Sequence, residues 1–105
     1  MQYVKVDWLN AADSTGATDP EWVQGATRYG IFRETTGSPS SVVLRLEGSL
    51  DGSSWFNLMN MNELGTPITK WLDDVRPVSY VRLNLTDLSG GSSPTVTASV
   101  IATDA

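Results

Sequence analysis

Residues 42–47 read Val-Val-Leu-Arg-Leu-Glu, so Val42, Leu44 and Leu46 fall on one face of an extended chain and Val43, Arg45 and Glu47 on the other. A period of two suits a strand with one dry face and one wet face. It does not suit a helix, where residues on one face stand three or four apart. Leu50-Asp51-Gly52-Ser53 follows at once, and residues 55–61 then return as a second extended run. Asp-Gly readily supplies the positive φ angles of a tight turn, so the middle of the chain is expected to be an antiparallel hairpin.

The same grammar recurs along the sequence. Val4, Val6 and Trp8 alternate with Lys5 and Asp7; Val81, Leu83 and Leu85 alternate with Tyr80, Arg82 and Asn84; and Val96, Ala98, Val100 and Ala102 form a last run. Tyr29, Ile31 and Val23 are candidates to line further strands, and Ile68–Leu72 makes a short one. Thr36–Ser41, Asn62–Pro67, Asp73–Pro77 and Leu88–Pro94 are rich in turn formers and separate these runs. No segment carries a helical period, and no repeat is visible. About seven to eight short strands with regular turn signals predict an all-β fold, a single antiparallel β-sandwich or jelly roll. The 105 residues are expected to form one domain, 1–105, with the small polar segment 10–21 as a flexible docking loop.

Composition removes several kinds of chemistry. The chain has no cysteine and no histidine. A disulfide scaffold cannot be built, nor a zinc site of the usual ligands, and the commonest general base is missing. A nucleophilic serine would lack its partner. The carboxylates Glu47, Asp51, Asp73, Asp74 and Asp87 are scattered over turns and strands and suggest no acid/base pair. Asp13, Asp19 and Glu21 share the 10–21 segment without the spacing of a calcium loop. No catalytic residue, metal site or cofactor is therefore expected. Net charge is −5, with five Arg and two Lys spread along the chain, which argues against nucleic acid or an anionic membrane as partner. No basic and apolar leader precedes the first strand, so no signal peptide is expected, and no apolar run has membrane-spanning length.

Four tryptophans remain to be placed. A sandwich this small should bury one or two aromatic rings. Trp55 and Trp71 stand at strand ends beside turns, where a ring can stack on a sugar or anchor an interface, though Trp55 could equally plug the sandwich beneath the Asp-Gly turn. Trp22 follows the polar segment and has the weakest claim to a place in the core.

Two resemblances start from these residues. Ser49, Asp51, Gly52 and Trp55, followed by Tyr80-Val81-Arg82, resemble the hairpin and strand of discoidin-like, galactose-binding-like sandwiches. Those domains are longer and often carry cysteines. The resemblance implies a carbohydrate-binding module in which Trp55, Trp71 and Tyr80 stack on sugar rings while Asp51 and Asn57 accept hydroxyl hydrogen bonds. Residues 42–102, with "YVRLNLT", the Gly90-Gly91 turn and "TVTA", also resemble small virion proteins of tailed phages. That likeness implies a non-enzymatic capsid decoration, or cement, protein, made in the host cytoplasm and carried in the virion. It would bind the major capsid protein or another virion protein, self-associate as a homo-oligomer, and dock through Trp22, Tyr29 and Phe32.

Overall fold

A computed structural model describes residues 3–23, 26–73 and 75–103. Nine strands and no helix lie among them: β1 (Tyr3–Ala12), β2 (Gly16–Ala17), β3 (Glu21–Trp22), β4 (Arg28–Thr36), β5 (Ser41–Ser49), β6 (Phe56–Met61), β7 (Ile68–Leu72), β8 (Tyr80–Ser89) and β9 (Thr95–Thr103). The first sheet has the order β1-β9-β4-β7; the second has the order β2-β8-β5-β6, with β3 also paired to β8. Every pairing is antiparallel.

Taken as one interrupted edge strand, β2 and β3 reduce the nine strands to eight. The chain is then a long hairpin wound into two layers. Beginning and end pair as β1 with β9, the next turn as β2 and β3 with β8, then β4 with β7, and the tip is β5 with β6. This is the order of a jelly roll, one of the ways an antiparallel sheet buries one face against its own continuation.

The alternations read from the sequence supply the layer between the sheets. Val42, Leu44 and Leu46 of β5 face Val96, Ala98, Val100 and Ala102 of β9 and Tyr29 and Ile31 of β4 across the core, with Val81, Leu83 and Leu85 of β8 alongside; all are buried. Their odd-even neighbours Arg45, Arg82 and Asn84 stay partly or fully in solvent. One inward residue breaks the pattern. Arg33 of β4 takes a core-facing position and is completely buried. Its guanidinium donates to the carbonyl oxygens of Met61 at 3.3 Å, Glu63, and Gly65 at 3.0 Å, tying the β6–β7 connection to the core.

The segment 10–21, expected to be a loop, is part strand: β1 continues to Ala12, β2 and β3 pair with β8, and Thr18 and Asp19 between them are fastened. Thr18 donates its N–H to the Leu83 carbonyl and accepts the Leu83 N–H on its hydroxyl. The Trp8 indole donates to the Asp19 carbonyl at 3.1 Å. Small polar residues here serve an edge that crosses from one sheet to the other, and their backbone groups find partners in β8.

Candidate functional site

Three surfaces gather exposed rings with polar groups, or form a groove, and each is placed by the sheets beneath it. The first is the outer face of the second sheet. β5 ends at Ser49, whose hydroxyl accepts the N–H of Gly52 at 2.8 Å and donates to Asp51 Oδ1 at 3.0 Å. Asp51 Oδ1 in turn accepts the N–H groups of Ser53 at 2.8 Å and Ser54 at 2.9 Å. Gly52 has φ of 82°, a left-handed conformation in which glycine carries no steric cost. The turn packs on a ring, since a Cβ at Gly52 would lie 3.6 Å from the Tyr80 ring. Trp55 then folds over Arg82, its ring centroid 4.3 Å from the guanidinium carbon. Beneath it Arg82 Nε donates to Glu47 Oε1 at 2.8 Å, and the Asn84 amide bridges both oxygens of Glu47 at 3.4 Å. Trp22 lies in register with Tyr80 on the neighbouring strand and is largely exposed.

These contacts say what the Asp-Gly hairpin does. Its carboxylate is spent on its own loop, which is why the N–H groups of Ser54 and then Ser53, with the Ser49 hydroxyl behind them, hold the Asp51 carboxyl below the usual aspartate range. A depressed carboxyl orders the loop fully above the pH at which a free aspartate titrates, and that ordering is lost only as pH falls through the depressed value. An NMR titration should therefore place the Asp51 midpoint below that of an unstructured aspartate, with the Ser53 and Ser54 amide shifts moving together with it. A midpoint at or above the unstructured value would contradict the geometry.

The second surface is the outer face of the first sheet. Trp71 of β7 is in register with Gly30 of β4, which pairs on its other side with Ile101 of β9. The indole occupies the space a side chain at position 30 would need: a Cβ there would come within 2.3 Å of Trp71 Cζ3. A concavity of about 280 Å³ surrounds the ring, lined by Arg28, Gly30, Trp71, Asp73, Ile101 and Thr103 among others. Phe32 is exposed on the same face, two residues along β4. The third surface is a groove of about 440 Å³ at one end of the sandwich, where Leu50, Phe56, Leu58, Val75, Pro77 and Val78 come together with Arg76. Leu50 and Phe56 project from it into solvent.

The structure divides the residue sets that the sequence suggested. Of the sugar-stacking candidates, Tyr80, Trp55 and Asp51 gather on the second sheet with Asn57, which is in register with Glu47, while Trp71 lies on the first sheet. The five cannot share one ligand. Trp55 does not plug the sandwich under the Asp-Gly turn; Tyr80 lies there, and Trp55 covers Arg82. Of the docking candidates, Trp22 and Phe32 are exposed but belong to different sheets. Tyr29 is corrected outright. It is 1% exposed, its hydroxyl donates to the Ala26 carbonyl at 3.1 Å, and burial pushes its pKa up to about 12, so it is a core residue and no anchor. Gly30, Arg28 and Ile101 were not foreseen, because only the β4–β7 and β4–β9 registers bring them beside Trp71. Among the described residues no group of three or more acidic side chains is placed to hold a metal ion.

No protein-family model matches this sequence, and no curated protein matches it in sequence. Solved structures share its fold. The SPBc2 prophage-derived protein YomS superposes with a TM-score of 0.68 at 14% identity, over 96% of this chain and 92% of its own. The PBSX exported protein XepA gives 0.66 at 16% identity; it covers 96% of this chain, which corresponds to 37% of XepA. The K3 cleaved adhesin domain of Lys-gingipain from Porphyromonas gingivalis w83 gives 0.58 at 13% identity, over 83% of this chain and 62% of that one. At such identities the likeness is one of fold: the chain is an all-β sandwich like these three proteins.

Proposed function

We propose that this chain is a non-enzymatic structural protein of a phage particle, and that it acts as a decoration protein on the assembled shell. The observation that carries the reading is the match to prophage-derived YomS across nearly the whole of both chains. The chemistry of the surface agrees with it. Several polar side chains of the second sheet are tied to one another or to their own loop, as Glu47 is to Arg82 and Asn84 and as Asp51 is to Ser53 and Ser54. The surface also offers apolar area, at Trp22, Leu50 and Phe56. The sandwich-end groove with Leu50 and Phe56 is the shell contact in this reading, and exposed Trp22 is a second anchor. Major capsid protein, or another virion protein, is the partner, and self-association about a symmetry axis would present several such ends at once. Each bound copy stabilises the assembled state by mass action, without chemistry.

Peptide mass spectrometry across a density gradient of lysate from the source tests this. The chain should band with intact particles in a fixed ratio to the major shell protein. In that experiment a Leu50→Glu, Phe56→Glu double variant should remain folded and move to the soluble fractions. A wild-type chain found only among soluble proteins would overturn the reading.

A further inference from the structure

We infer that the concavity around Trp71 is a carbohydrate-binding site, which takes a neutral pyranose ring with an uninterrupted C–H face. This does not rest on the virion reading and would stand without it. Trp71 is 69% exposed, yet its ring is not a loose side chain on a loop. It comes from a strand and sits on a seat left open by Gly30, where any larger residue would collide with it. A stacking surface held in place before the ligand arrives loses little rotamer freedom on binding. Ile101 and Thr103 of β9 extend the floor beside it. Arg28 and Asp73 stand at the rim, a planar set of donors and a planar pair of acceptors, which together match the mixed donor and acceptor character of sugar hydroxyls. An apolar floor with a few convergent polar groups is the usual make-up of a small-ligand site, and about 280 Å³ is small among them.

Other occupants fit less well. A phosphate-bearing ligand would meet Asp73 and a chain of net charge −5. The other rings near polar groups are already engaged, Trp55 by Arg82 and Tyr80 by the Gly52 turn. Sugar stacking therefore passes to the one tryptophan that the sequence had grouped with them and the fold set apart.

The test uses the full chain and short cello-, malto-, chito- and galacto-oligosaccharides at millimolar concentration, followed by NMR of the tryptophan indole N–H signals. At least one series should shift the Trp71 indole most strongly of the four tryptophans. Trp71→Ala should then weaken binding about tenfold or more, a loss of about 1.4 kcal/mol. Gly30→Ala, whose methyl group must push the ring from its seat, should weaken binding too, whereas Trp55→Ala should leave it unchanged. If none of the four series moves the Trp71 signal, or if Trp71→Ala binds as well as the wild type, the inference is wrong. Should Trp71→Ala fail to fold, the wild-type indole shifts decide the matter alone.

Discussion

Replacing Arg33 with methionine should lower the free energy of unfolding by about 3 kcal/mol, although methionine can follow the path of the arginine stem and adds apolar character. The reason lies in what the guanidinium holds. It is wholly buried and donates to three main-chain carbonyls, those of Met61, Glu63 and Gly65. Burial pushes its pKa down and the neighbouring Glu63 carboxylate pushes it back up, and it stays a cation, as guanidinium does in proteins. Removing it takes the donor from the buried Met61 carbonyl and from those of Glu63 and Gly65, and frees the β6–β7 connection. One side-chain nitrogen, Nε, has no partner even in the native state, so the site is not at its own optimum. Some of the loss on substitution is therefore offset. Urea titration checks the value: the midpoint should fall while the slope stays unchanged. Arg33→Lys should fall between the two, since it keeps the charge but cannot fork toward three carbonyls. A methionine variant as stable as the wild type would show that the clamp is incidental.

Leu83→Ala is the second large effect. Leu83 is fully buried in β8 between its neighbours Val81 and Leu85 and across from the inner face of the first sheet. Truncation of a buried leucine removes transfer free energy and leaves a cavity, together about 3 kcal/mol. In a domain this size that should lower the thermal midpoint by about 15 °C. Leu50→Ala provides the contrast. Leu50 is 68% exposed, and its truncation should change stability by no more than about 0.5 kcal/mol. Scanning calorimetry of the two variants side by side separates core from surface for the same chemical change.

Leu83 was legible in the sequence and Arg33 was not, and the difference is instructive. Val81, Leu83 and Leu85 announce their face by alternating with Tyr80, Arg82 and Asn84, because a half-buried strand imposes that period on its side chains. β4 obeys the same rule, with Tyr29, Ile31, Arg33 and Thr35 turned inward, but a charged residue at the third position hides the period from any reading that puts charge outside. β2 was missed for another reason, and β3 was only suggested, through Val23 beside it. Two residues each carry no period at all, and their strand character comes from the partner groups that β8 offers. The candidate sites follow suit. Ser49, Asp51, Gly52 and Trp55 lie close in sequence, so their hairpin could be read directly. Trp71 and Gly30 meet only through a register between strands forty residues apart in the chain, and nothing local to either marks the seat.

The pairing of the two ends has a consequence for synthesis. β9 lies inside the first sheet, flanked by β1 and β4, and β8 lies inside the second, flanked by β2, β3 and β5. Both belong to the last quarter of the sequence. Until residues 80–103 have left the ribosome each sheet lacks one inside strand: β4 can pair with β7 and β5 with β6, but the backbone edges of β4 and β5 that β9 and β8 take stand open, and Ile31, Val42 and Leu44 lack part of their cover. Only the β5–β6 hairpin can form by local contacts. The sandwich therefore closes only once β8 and β9 are available, with its longest loops closing last, and until then the open strand edges are exposed to wrong pairing.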